Sequence, residues 1–233
     1  MRAASEPHLA RRAALALEVR GAYALLAQDL ESAGFEVTDT EAAMRGLADL
    51  DALCAPPIAT PSPGHRLLAV VDTETTGLGD GDEPVSVAAV LIEVRTDDGA
   101  IVQEHGRYHG LREPNVPINP RAMAVHGLTP QILAGHRLDY RALAELLNSA
   151  DLLVAHNASF DRRMLGRILP LALHLPWACS LESLRDEWAT RTGGARSLSA
   201  ITQALGINHA DAHDALADVR ALVAALGTGA SSD

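Results

Sequence analysis

The 233-residue chain contains no lysine: all 19 of its basic residues are arginines, set against 30 acids for a net charge of −11. Without a lysine amine, Schiff-base chemistry and the lysine-dependent phosphate loop are excluded. Clustered positive charge, which drives passive binding to phosphate backbones, is also scarce. A polyanionic substrate would therefore need cations from elsewhere, and divalent metal ions are the simplest source. Only Cys54 and Cys179 are present, so there is neither a disulfide framework nor a thiolate zinc site. The longest apolar runs, such as Leu67 to Val71, fall far short of the ~20 residues a membrane span needs. Arg11 and Arg12 precede an apolar run, Ala13 to Leu17, as in a signal peptide. Glu18 and Arg20 interrupt it too early, and no small-residue cleavage site follows. These absences predict a cytoplasmic protein.

What is present suits a packed core: 48% hydrophobic residues and a mean hydropathy near zero. Four prolines and a glycine between Pro56 and Gly64 mark the clearest boundary. The expected organisation is a helical N-terminal extension over residues 1–55, a Pro-rich linker over 56–65 and a main domain over 66–228. In the extension, Leu9, Leu17, Leu25 and Leu26 recur at helical spacing. A turn at Gly34 then leads to a second helix from about Glu41 to Leu53. Two helices bury little by themselves, so the extension is expected to pack on the main domain or a partner.

From Leu67 the pattern changes to strands. Leu67 to Val71 reads as a strand buried on both faces. Val85 to Val94 and Ile101 to Tyr108 follow as a pair joined through Asp98-Gly99, a hairpin signal. An irregular Pro-rich stretch comes next, then a helix from Asp139 to Leu147, a strand from Leu152 to Ala155 and a helix from about Ser159 to Leu169. A short strand near Trp177 to Leu181 and helices around 182–190, 197–205 and 214–226 complete the chain. The pattern predicts an α/β fold with a mixed sheet covered by helices on both faces.

Three segments carry the chemistry. In Asp72-Thr73-Glu74-Thr75-Thr76-Gly77, strand alternation puts Asp72 and Glu74 on one face, about 7 Å apart, with Thr73 pointing away. In His156-Asn157-Ala158-Ser159-Phe160-Asp161, Asp161 shares the apolar stripe of the following helix with Met164, Leu165 and Ile168. In His213-Asp214-Ala215-Leu216-Ala217-Asp218, Asp218 lies on the stripe of Ala221, Leu222 and Ala225. His213 can reach the same place only from the loop before that helix, with Asp214 as N-cap. Singly, each acid is ordinary as a strand-end or first-turn residue. Jointly, four acids on buried faces without basic partners suit hard divalent cations, most simply a Mg²⁺ or Mn²⁺ pair.

In this order the three segments resemble the DEDDh branch of the DnaQ-like 3′–5′ exonucleases, and Val125-His126-Gly127-Leu128-Thr129 resembles that family's His-Gly-Ile-Thr segment. The resemblance covers about Leu67 to Leu226. It implies a ribonuclease-H-like fold with a five-stranded sheet of order 3-2-1-4-5. It further implies that Asp72, Glu74, Asp161 and Asp218 hold two metal ions and that His213 is the general base. The loop Thr75, Thr76, Gly77 and Leu78, with His126 and Phe160, would seat the 3′-terminal nucleotide, and Leu78 would wedge beside its base. Where many relatives carry a Glu-Ile-Gly run, this chain has Ser86-Val87-Ala88, which is expected to alter a contact near the metals. The chain ends at Asp233 without the tail by which polymerase-associated relatives dock, which weakens the expectation of a polymerase partner.

The expected activity is thus metal-dependent hydrolysis from the 3′ end of single-stranded DNA or RNA, releasing nucleoside 5′-monophosphates in proofreading, repair or end trimming. The alternatives are a phosphodiesterase for short oligonucleotides and a non-catalytic module that partners a polymerase.

Overall fold

The computed structural model of the protein describes residues 55–228, and the two helices expected in residues 1–55 lie outside them. Five strands form one sheet: β1 (His65–Thr75), β2 (Pro84–Arg95), β3 (Ile101–Leu111), β4 (Leu152–Ala155) and β5 (Trp177–Cys179). Their spatial order is β3-β2-β1-β4-β5. β1 pairs antiparallel with β2, while β4 and β5 join in parallel, so the sheet is mixed. β1 therefore sits at the centre, where its apolar run from Leu67 to Val71 is covered on both faces.

Alternation along β1 sorts its residues into two cores. Leu67, Ala69 and Val71 pack with Val87, Ala89 and Leu91 under helices α3 (Tyr140–Ser149) and α4 (Ala158–Ile168). Val70 packs with Ala88, Val90 and Ile92 under α8 (Ala215–Gly227), through Ala215, Val219 and Leu222. This two-sided cover is the architecture the strand and helix pattern predicts.

Two sequence expectations need correction. The Pro-rich stretch before α3 is not wholly irregular, because it holds α1 (Pro120–His126) and α2 (Pro130–Leu133). Each begins with proline in its first turn, preceded by a capping side chain, Asn119 or Thr129. Proline is tolerated there because that N–H lacks an intrahelical partner anyway. The helix expected at 182–190 is instead α5 (Ser180–Ser183) and α6 (Arg185–Thr192), separated at Leu184. The break carries buried Trp188 back to the Ser180 carbonyl, to which its indole N–H donates at 2.9 Å. A helix α7 (Leu198–Leu205), capped by Ser197, precedes α8.

The segment 56–65 lies against the domain. Ile58 N–H donates to Ser149 Oγ, and Ser62 N–H to Glu93 Oε1, both at 2.9 Å. Buried Glu93 also bonds His105 Nε2 at 2.7 Å and His65 Nδ1 at 2.6 Å. The Ser62 amide, with the two imidazoles, holds its carboxyl down at about 2.

Leu165 is fully buried on α4, the helix that also carries Asp161. Leu165→Ala should cost about 2–5 kcal/mol, read as a lower urea midpoint at unchanged m-value. An unchanged midpoint would contradict this packing.

Candidate active site

The acids meet at the C-terminal end of β1. Asp72 and Glu74 extend the side of the strand that faces α8, opposite Ala88 and Ser86 of β2. Asp214 caps α8 by accepting the Ala217 amide at 2.9 Å, which starts the helix so that Asp218 falls in its first turn. His213 lies just outside the helix with φ +73°. Among the described residues it alone takes a left-handed backbone without being glycine, a conformation costing about 1–3 kcal/mol. One ligand atom each from Glu74, His213 and Asp218 lies within 4.8 Å of the others. The loop position of His213 and the capping role of Asp214 are those the spacing predicts.

Asp161 approaches from the opposite core on α4 and is only 4% exposed. Thr73, the residue between the two β1 acids, points to that side and donates its hydroxyl to Asp161 Oδ1 at 2.9 Å. Thr73 was not among the expected site residues, yet it links β1 to the third acid.

Electrostatics set this cluster apart from a solvated acidic surface. Burial, reinforced by the charges of Asp161, Glu74, Asp218 and Asp214, raises Asp72 well above the ordinary carboxylate range. Burial, then Asp218, Asp161 and Asp214, raises Glu74 to about 8. Burial raises Asp161 to about 7 against the opposing hydrogen bond from Thr73. Carboxyls that retain protons near neutral pH mark a cluster short of positive charge. That donor set fits a hard divalent cation with oxygen ligands.

The family model for the RNase_T exonucleases matches residues 69–226, a span that contains all four acids and His213. The chain belongs to the DnaQ-like exonucleases. It is 33% identical to a PolC-type DNA polymerase III of Thermotoga petrophila over 67% of this chain and 11% of the polymerase. It is also 33% identical to exodeoxyribonuclease 10 of Escherichia coli, over 52% of this chain and 49% of that enzyme. The chain thus spans about half or less of these two curated relatives. Among solved structures, E. coli exonuclease I in complex with a dT13 oligonucleotide aligns with a TM-score of 0.57 at 21% identity. That alignment covers 71% of this chain and 41% of that one. An exonuclease I from Methylocaldum szegediense aligns with a TM-score of 0.53 at 26% identity, over 69% and 40% of the two chains. The sheet order 3-2-1-4-5 is that of the resemblance.

In this member of the DnaQ-like exonuclease family the loop after β1 is tightly closed. Thr75 and Thr76 are buried, their hydroxyls donating to Gly77 O (2.6 Å) and Asp82 Oδ1 (2.8 Å). At Gly77 a Cβ would lie 2.7 Å from the Asp82 carboxylate, so the close approach requires glycine. These three residues shape the loop, whereas Leu78 at its tip is 79% exposed. His126 sits beside β1, accepting the Leu128 amide at Nδ1 and donating from Nε2 to the Thr75 carbonyl at 3.2 Å. Burial lowers its pKa, and nearby His213 adds to that shift. Phe160 is half-buried with the Arg163 guanidinium 5.4 Å from its ring centroid, a cation–π distance. Ser86, in the departure from Glu-Ile-Gly, bonds His109 Nε2 at 3.2 Å.

Three further side chains escaped the sequence reading. Arg163 donates to the Leu78 and Gly79 carbonyls at 3.2 and 3.3 Å, tying the Leu78 loop to the Asp161 helix, while Arg167 donates to the Asp82 carbonyl at 2.9 Å. Their i, i+4 spacing on one helix face was the available signal. His209 Nε2 bonds Asp218 Oδ1 at 2.5 Å, and nothing in the spacing singled it out from the other histidines. His156 of the second motif has a framework role, bonding the Arg196 carbonyl and Ser180 Oγ.

The raised carboxyls have a sign that can be measured. Glu74 keeps its proton in the folded state up to about pH 8, whereas the unfolded chain releases it near 4.5. The folded state therefore binds more protons between those values, and its stability falls as pH rises through that window. In EDTA the melting temperature should drop from pH 5 to pH 9, and Glu74→Gln should flatten the decline. Identical pH profiles for the two proteins would contradict the shift.

Proposed function

We propose that this protein hydrolyses the terminal phosphodiester bond at the 3′ end of single-stranded DNA or RNA, releasing nucleoside 5′-monophosphates in the cytoplasm. The observation that carries the reading is the convergence of Asp72, Glu74, Asp161 and Asp218 on one strand end, with burial raising the first three in pKa. Exonuclease family membership and the DNA-bound exonuclease I neighbour support it.

In this reading the four acids hold two Mg²⁺ or Mn²⁺ ions. When bound, such ions supply charge neutralisation at the attacking and leaving oxygens of a phosphoryl displacement. His213 takes a proton from the attacking water at a ring nitrogen, a task suited to imidazole at neutral pH. The loop ending in exposed Leu78 meets the terminal nucleotide, and the open face of Phe160 lines its seat. Arg163 and Arg167 are already committed to carbonyls of that loop. Substrate capture therefore rests on the metals and the 3′ end more than on a basic track, in keeping with the acidic chain. DNA proofreading, repair or end trimming would all use this chemistry.

The test is digestion of 5′-labelled single-stranded DNA and matched RNA with Mg²⁺, Mn²⁺ or EDTA. A ladder shortening from the 3′ end, lost in EDTA and in Asp72→Ala, is expected. His213→Ala should slow cleavage by ~10²–10⁴-fold. Endonucleolytic products, or undiminished cleavage by Asp72→Ala, would refute the proposal. Cleavage of dinucleotides alone would favour an oligonucleotide phosphodiesterase.

A further inference from the structure

Asp218 does not offer two equivalent oxygens. Its Oδ1 accepts two hydrogen bonds from the protein, one from His209 Nε2 at 2.5 Å and one from the His213 backbone amide at 3.2 Å. His209 is itself held in place: its side chain is 5% exposed, and its Nδ1 lies 3.3 Å from the hydroxyl of buried Thr202 on α7. Because a carboxylate can only accept, Nε2 carries the proton in this bond. A rigid chain thus runs from α7 through Thr202 and His209 to Asp218 Oδ1, and from that oxygen to the backbone of His213.

We propose that His209 is a positioning residue for both ends of the third motif. By occupying Oδ1 it fixes the rotation of the Asp218 carboxylate and leaves Oδ2 as the oxygen offered to a divalent cation. Through that oxygen it also keeps the His213 amide in place, and with it the left-handed backbone that brings the imidazole to the acid cluster. Partners beyond the direct ligands set ligand orientation in metal sites generally, and their loss costs about 10–100-fold in metal affinity. The inference rests on the proposal that Asp218 binds metal. It goes beyond it by assigning a histidine outside the three motifs.

Mn²⁺ titration of the full-length chain by calorimetry, with circular dichroism to establish folding, separates positioning from packing. His209→Leu should weaken Mn²⁺ binding by about 10–100-fold. His209→Asn, too short to reach Asp218, should weaken it similarly. His209→Gln places an amide N–H near the Nε2 position and should keep affinity close to wild type. At saturating Mn²⁺, His209→Leu should still lower kcat for a single-stranded oligonucleotide with little change in KM, because His213 is displaced. If His209→Leu does not fold, the Gln and Asn variants decide. Equal affinity for those two, or wild-type affinity in a folded His209→Leu, would overturn the inference. No Mn²⁺ binding by the wild type would instead refute the underlying metal assignment, and the inference with it.

Discussion

Like charges gathered in a partly dry place repel one another unless something neutralises them, and the end of β1 is built around that condition. Asp72 and Glu74 stand at the edge of the central strand, with Asp161 arriving from one side of the sheet and Asp218 from the other. Burial contributes most to the raised pKa values of Asp72 and Glu74, and repulsion from the neighbouring acids adds to it. The domain otherwise pairs its buried carboxylates with donors, as Glu93 shows between two histidines and a backbone amide. The raised pKa values cost the metal-free protein stability above neutral pH, and an acid cluster of this kind suits the proposed divalent cation.

Their placement depends on short local devices more than on the sheet as a whole. The hydroxyl of Thr73 carries the influence of β1 across to Asp161, and the Asp214 cap fixes the starting register of α8 so that Asp218 faces inward. Arg163 joins the Asp161 helix to the loop bearing Leu78. The acid cluster and the loop bearing Leu78 are thereby parts of one framework, in which movement of α4 would disturb both.

Much of this was legible in the sequence. Strand alternation placed Asp72 and Glu74 together, and helical spacing placed Asp161 and Asp218 on inward stripes, because both rules follow from local geometry. The N-cap at Asp214 was readable for the same reason. Less legible were the contacts that join distant segments, such as Thr73 with Asp161 and His209 with Asp218, since periodicity carries no information about them. α1 and α2 were obscured because their prolines read as breakers, although at the first turn proline starts a helix. The hydroxyls of Thr75 and Thr76, taken by the Gly77 carbonyl and Asp82, likewise have partners that no spacing rule supplies.

If these carboxyls hold protons because no cation is present, then a cation must expel them. Mn²⁺ binding near pH 7 should therefore release protons, chiefly from Asp72, Glu74 and Asp161. Calorimetric titrations in two buffers of different ionisation enthalpy would count them. The expected result is a buffer-dependent heat corresponding to net proton release, smaller in Glu74→Gln. A binding heat that is the same in both buffers would contradict the idea that cation and protons compete for one partly buried cluster.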